Sequence, residues 1–352
     1  MTASMAIPAR LRATRPLHLK VEDGSHVGEA RRRAASLCRD LGFDDTRAGQ
    51  VALVVTELAT NLVKHTAGAG GDLVLRPIDE AEATGIDILS LDRGPGIAHI
   101  GESLRDGRST AGSAGTGLGA VRRLSSVFDI WSSPGRGAAV LSRIWRNSPP
   151  GVPPSLDVGA VCLPVSGEQA CGDAWAMKRG RDATTFLVAD GLGHGPDAAA
   201  AADLAIAIFE RQASRSPADL VSLIHAGLRG TRGAAVAVAE VAPGTHLVRF
   251  AGVGNITGQI LSGATSRCLV SHNGTAGVEA RKVEQNDYPW PEDGMLVLHS
   301  DGLATNSLPE DSPGLVRKDP ALIAGVLYRD HQRPRDDSTV VVVRATGRAE
   351  AP

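Results

Sequence analysis

The stretch VALVVTELATNLVKH, residues 51–65, is apolar over most of its length, yet it carries Glu57, Asn61 and His65 at every fourth position. On a helix that spacing stacks all three on one stripe. In isolation an acid one turn before an amide reads as an exposed helix face. The neighbouring sequence gives the pair another use. LDRGPGI (91–97) puts Asp92 at a strand end, followed by Gly94 and Gly96 on either side of a proline. GTGLGAVRRL (115–124) is a glycine-rich turn that runs into a helix. An Asp at a strand end can accept the amino group of a base. Gly94 and Gly96 remove side chains where a flat ring must lie close to backbone. A turn through Gly115, Gly117 and Gly119 points free N–H groups at a helix N-terminus towards phosphate. Asn61 offers a neutral hard oxygen of the kind Mg²⁺ takes, and Glu57, one turn away, is placed to take a proton from an attacking hydroxyl.

Working outward, EARRRAASLCRDLGF (29–43) reads as an amphipathic helix closed by Gly42, and the helix holding the stripe starts at a cap on Asp44 or Asp45. GDLVLRPI and GIDILSLD read as strands, as do FDIWSS and GAAVLSRIW around the turn Pro134–Gly135. Helices followed by an antiparallel run predict an α+β layered sandwich. NSPPGVPPS (147–155) holds four prolines in nine residues, which neither a helix nor a central strand tolerates. It reads as a stiff linker. The expected domains are therefore 17–146 and 156–345, joined by 147–155. Beyond the linker, VGAVCLPV, TTFLVAD, AAVAVAEVA, HLVRFAGVG, GQILS, GMLVLHSDG and VVVVRA are strand-like, and Pro196 opens an alanine-rich helix. This half predicts a second sandwich.

Acids recur in this half: Asp173 in CGDAW, Asp190 in FLVADGLGHG, Asp301 in LVLHSDGL, and Asp336 and Asp337 in PRDDSTVVVV, and three of these places abut an apolar strand run. One such Asp is usually a turn residue. Four in one domain are another matter, because converging carboxylates repel unless cations neutralise them. They also form the hard oxygen set that suits Mg²⁺ or Mn²⁺. Two ions bridged by one carboxylate hold a water and lower its pKa, so that hydroxide attacks a phosphoester with no protein nucleophile. Gly191 would let its backbone carbonyl reach a metal. His194 reads either as packing for its own turn or as an acid for the leaving group.

In order, ExxxN, DxGPG and GTGLG resemble the N, G1 and G2 boxes of the GHKL ATPases over roughly residues 20–146, and most closely the RsbT- and RsbW-type switch kinases. By that resemblance Glu57 is the catalytic base, Asn61 the Mg²⁺ ligand and Asp92 the adenine reader. Gly94 and Gly96 border the base, and Gly115, Thr116, Gly117, Leu118 and Gly119 form the phosphate loop. Lys64 and His65 either face the phosphates or end the helix as cations. The motifs GD, ADGLGHG, SDG and DDST resemble the metal-dependent PPM-type serine/threonine phosphatases of the SpoIIE- and RsbX-like branch, over roughly 156–345. That resemblance makes Asp190 the catalytic bridging ligand, with Gly191, Asp173, Asp301 and Asp336 completing the metal pair and Asp337 an alternative to Asp336. No phosphate-clamping arginine can be placed.

Together these resemblances imply a fusion of a GHKL (Bergerat) α/β sandwich and an α/β/β/α phosphatase sandwich. The implied protein uses ATP and Mg²⁺ in one half and two Mn²⁺ or Mg²⁺ in the other. It would phosphorylate and dephosphorylate Ser or Thr of a STAS-domain antagonist, with a downstream regulator or sigma factor as a further partner. The alternative is a non-catalytic ATP-dependent binding module fused to an active phosphatase. The formal charge of −2 argues against bulk capture of nucleic acid or anionic membrane. Cys38, Cys162, Cys171 and Cys268 form no CxxC pair and match no zinc spacing, as expected of reduced thiols. No apolar run reaches membrane-spanning length and the N-terminus lacks an apolar signal core, so the cytoplasm is the expected compartment.

Overall fold

The computed structural model describes residues 16–80, 83–104, 117–149, 155–263, 265–280, 282–304, 312 and 314–346. The chain divides into two compact units: residues 1–153 with 309–329, and 154–308 with 330–352.

The first unit is a helical layer on an antiparallel sheet. Strand β1 (Leu17–Val21) leads into helix α1 (Gly24–Asp40), whose N-cap Asp23 accepts from the Ser25 N–H. Gly42, at φ +71°, ends this helix, and Asp44 caps the next, α2 (Asp45–His65), by accepting from the Arg47 N–H. Along α2 the residues Val51, Val54, Val55, Leu58, Ala59 and Leu62 are buried. That is one face at helical spacing, and full burial of a Val or Leu side chain is worth about 1.5–3 kcal/mol. Strands β2 (Gly71–Glu80), β3 (Ala83–Asp92), β4 (Val127–Ser132) and β5 (Ala138–Trp145) complete a sheet of order β1-β2-β3-β5-β4. Helix α3 (Gly117–Leu124) packs beside α2, its Val121 fully buried.

Across the middle of this sheet Arg76, Asp87 and Arg143 stand in register on three adjacent strands. Asp87 is fully buried and accepts from Arg76 at 2.5 Å and from Arg143 at 2.6 and 3.1 Å. Burial alone would raise the Asp87 pKa; the guanidinium groups of Arg143 and Arg76 overcome it and hold the carboxyl below its usual range.

The second unit packs two five-stranded sheets face to face. Its strands are β6 (Leu156–Leu163), β7 (Asp173–Arg179), β8 (Thr184–Gly191), β9 (Ala234–Ala242), β10 (Leu247–Val253), β11 (Thr257–Ser262), β12 (Thr265–Leu269), β13 (Asn286–Pro289), β14 (Met295–His299) and β15 (Ser338–Ala345). They are ordered β13-β10-β9-β8-β7 and β12-β11-β14-β15-β6. Phe186, Val188, Ala237, Phe250, Leu296, Leu298, Val341 and Val343 fill the space between the sheets. Helices α4 (Pro196–Gln212) and α5 (Pro217–Gly227) cover the outer face of the first sheet. The run of buried alanines at 198, 199, 201, 202 and 205 lets α4 lie close to the strands. A final helix, α6 (Pro320–His331), is buried at every position from Pro320 to Arg329, and that part belongs to the first unit.

Candidate functional site

In the first unit Glu57 and Asn61 lie half-buried on the stripe of α2, with Lys64 and His65 exposed at its end. The loop after β3 closes against that end. A Cβ on Gly94 would lie 3.0 Å from Thr66 Cα and 3.3 Å from the His65 carbonyl, so only glycine fits without a shift. Gly96, at φ +78°, has its loop tied to the β4–β5 turn by Ile97 N–H to Ser132 Oγ at 2.8 Å and Gly135 N–H to the Pro95 carbonyl at 2.9 Å. Asp92 is fixed through one oxygen: Oδ1 accepts from the Gly94 N–H at 2.8 Å and the Ala138 N–H at 3.2 Å. Burial raises its pKa against those two bonds. Gly117, Leu118 and Gly119 open α3, which packs on α2. Gly115 and Thr116 lie outside the described residues.

In the second unit the acids meet where their strands end. Asp173 and Asp190 are cross-strand partners on β7 and β8. Asp190, Asp301 and Asp336 line one cavity of about 390 Å³, and the Asp301 carboxyl lies within hydrogen-bonding reach of both others. Asp190 is pushed up to about 10, first by burial and then by the charges of Asp173, Asp301 and Asp336. Asp173 is not part of the cavity lining. It is buried behind it, accepts from Ser300 Oγ at 2.6 Å, and is pushed up to about 7 by burial, against that hydroxyl, with Asp337 and Asp336 adding to the rise.

The two adjacent acids before β15 have separate surroundings. Asp336 faces the cavity. Asp337 is buried, and its two oxygens accept from the Val165 and Gly172 N–H groups, both at 2.8 Å. Tight backbone packing holds the floor. A Cβ on Gly172 would sit 2.7 Å from Asp337 Oδ2, and one on Gly191 would run into the Ala198 backbone; the Gly191 N–H donates to the Gly172 carbonyl at 2.9 Å. His194, exposed, shares a 2.5 Å bond with Glu168.

Three participants escaped the sequence reading. Ser300 orients Asp173; Asn255 donates through Nδ2 to Asp301 Oδ2 at 2.6 Å; Glu168 holds His194. Ser300 directly precedes Asp301 in HSDG, a signal that was available. Asn255 and Glu168 are far from their partners in sequence and carry none.

A divalent cation suits this donor set. Carboxylate oxygens are the ligands that hard cations take, and the mutual repulsion that raises Asp190 is what a cation relieves. No three His, Cys, Asp or Glu side chains among the described residues close on one point as they stand. The fit therefore rests on donor chemistry and the shared cavity.

The fold defines a two-domain protein, one half built like an ATPase and the other like a phosphatase. Residues 21–143 match the family model of the histidine kinase-like ATPase domain, and residues 180–346 match that of stage II sporulation protein E. The serine/threonine-protein kinase RsbT of Bacillus subtilis (strain 168) is 31% identical over 116 residues, covering 33% of this chain and 86% of RsbT. A chain of the structure described as "The bacterial stressosome: a modular system that has been adapted to control secondary messenger signaling" is 32% identical, with a TM-score of 0.51, covering 54% of this chain and all of that one. The structure of RsbX in complex with magnesium is 19% identical, with a TM-score of 0.48, covering 54% of this chain and 96% of that one. The chain thus belongs to the RsbT-like kinase family through its N-terminal ATPase domain, fused to a C-terminal SpoIIE-family phosphatase domain.

Proposed function

We propose that this chain adds phosphate to, and removes it from, Ser or Thr of a STAS-type antagonist in a partner-switching circuit. The observation that carries the removal half is the cavity shared by Asp190, Asp301 and Asp336, with Asp173 beside Asp190 across adjacent strands. Asp190, Asp301 and Asp336, backed by Asp173 and the Gly191 carbonyl, would hold two Mn²⁺ or Mg²⁺ ions. Such ions supply a water of lowered pKa for in-line attack on a phosphoester. Asp190 would be the central ligand, with Ser300 aiming Asp173 and Asn255 aiming Asp301, while Asp337 is taken up by the backbone N–H groups of Val165 and Gly172.

For the addition half, ATP would enter beside α2. Asp92 offers its second oxygen to the adenine amino group while Gly94 and Ala138 hold the first. Gly94 and Gly96 leave room for the ring. The Gly117–Leu118–Gly119 start of α3 would cradle phosphate through its free N–H groups. Asn61 orients the nucleotide's Mg²⁺, and Glu57 accepts the proton of the attacking hydroxyl. Linking both activities on one chain raises the effective concentration of each around a shared partner.

The test is incubation of the full chain with candidate STAS proteins, ATP and Mg²⁺, then Mn²⁺, followed by intact mass. Wild type should show both gain and loss of one phosphate. Glu57→Ala should bind nucleotide but add none, and Asp190→Ala should add phosphate and never release it. Labelling by the Glu57 variant at the wild-type rate sinks the assigned base, and undiminished release by the Asp190 variant sinks the two-metal reading.

A further inference from the structure

The cavity that holds the acids has a second wall. It is lined by Asn255, Asn273, Gly274 and Thr275, and among the described residues no lysine or arginine contributes to its lining; Arg232, which stands beside Gly193 at the rim, is paired with Asp197 at 3.0 Å. A phosphomonoester dianion bound there would draw its positive charge first from the cations held by the acids. Its remaining oxygens are met by water or by donors on the surrounding wall, and fixed donors there add affinity and orientation. Asn255 is already committed through Nδ2 to Asp301. Asn273 is exposed and Thr275 half-buried, and neither side chain has a hydrogen-bond partner among the described residues.

These two side chains sit on a braced loop. The Gly254 N–H donates to the His272 carbonyl at 2.8 Å and the His272 N–H to Gly252 at 2.9 Å; Thr275 and Glu279 exchange backbone bonds of 2.7 and 2.9 Å; Ala234 and Ala276 exchange bonds of 3.0 and 2.8 Å. Gly274, at φ +143°, takes a backbone conformation closed to other residues, and a Cβ there would strike the Glu279 carbonyl. Donors on so fixed a loop lose little freedom on meeting a ligand.

We infer that Asn273 and Thr275 form a neutral phosphate clamp, gripping the phosphoryl oxygens that the cations leave free. This rests on the phosphatase reading above. Asn273 Nδ2 and Thr275 Oγ1 donate; no proton changes owner. A clamp without charge of its own releases inorganic phosphate readily once the ester is cut. It also makes substrate recognition depend on the protein surface around the phosphate.

The test uses the full chain loaded with Mn²⁺. Inorganic phosphate affinity is read by calorimetry, KM for a phosphoserine peptide by turnover, and Mn²⁺ affinity by electron paramagnetic resonance. Asn273→Ala and Thr275→Val should each weaken phosphate several-fold, the pair about tenfold or more. Mn²⁺ affinity and melting temperature should stay at wild-type values, because the loop is held by backbone bonds and Val keeps the methyl that packs on Gly233. Asn273→Asp, which sets a carboxylate against the dianion, should weaken phosphate further than Asn273→Ala. Unchanged phosphate affinity in the double variant with Mn²⁺ bound normally overturns the clamp alone. Failure of wild type to bind Mn²⁺ overturns the metal reading and the clamp with it.

Discussion

Asp87 illustrates how one residue can matter without touching the chemistry. It sits between Arg76 and Arg143 at the centre of the first sheet. Replacing it by Asn removes the buried charge that Arg76 and Arg143 share, though Arg143 keeps Asp319 at 3.8 Å, at a cost of about 3 kcal/mol at neutral pH. Its pKa is depressed on folding, so its contribution is present above the unfolded value near about 4 and fades as pH falls through the folded one. Urea denaturation of the wild type and Asp87→Asn should therefore show a gap at pH 7 that narrows below about pH 4; a gap of constant size would contradict the assignment. None of this was visible beforehand, because Arg76, Asp87 and Arg143 become neighbours only once three strands are in register. The candidate acids were legible for the opposite reason. Asp190, Asp301 and the Asp336–Asp337 pair abut apolar strand runs in the sequence itself. What the motif left open, Asp336 against Asp337, turns on which carboxylate the backbone N–H groups of Val165 and Gly172 claim, and that is a tertiary fact.

At the scale of elements, α2, α4 and most strands announced themselves by period and punctuation, down to the cap at Asp44 and Pro196 in the first turn of its helix. Strands β1, β7, β12 and β13 and helices α5 and α6 did not. The strands among these are short or partly exposed, with patterns too brief to separate from loop. Helix α6 failed for another cause: PALIAGVLYR is apolar all round, so it lacks an amphipathic stripe. The one charge in that run, Arg329, is 1% exposed. Nη1 donates to the carbonyls of Asp92 at 2.9 Å and Ala138 at 3.2 Å, and the guanidinium lies over Trp131 at 5.4 Å. The helix therefore pins the backbone of the proposed adenine reader. Arg329→Met keeps the bulk and removes the donors, leaving two carbonyls to find other partners at about 1–3 kcal/mol. It should lower stability by that order and weaken ATP in equilibrium dialysis by several-fold, although Arg329 is given no contact with nucleotide. Wild-type ATP affinity in a folded Arg329→Met protein would show that the pin does not matter to the site.

At the scale of the whole chain, the proline-rich stretch suggests two beads on a string, and the grouping of residues adds a qualification. Residues 309–329 belong with the first unit, while the chain on both sides of them belongs with the second. The polypeptide thus leaves the second unit after β14 and returns to it just before Asp336 and β15. Unfolding the first unit frees α6, and with it the restraint on the segment that delivers Asp336. Two-state unfolding of separate domains requires separable segments, and this topology does not supply them. Calorimetry should give one transition for the full chain, raised by either ligand. A ligand at a hundred times its Kd adds about 2.7 kcal/mol. Asn61→Ala should abolish the Mg²⁺–ATP shift and keep the Mn²⁺ shift, and Asp190→Ala should do the reverse. Two resolved transitions, each answering to a single ligand, would instead mean that the units melt independently and that the excursion through α6 carries no restraint from one to the other.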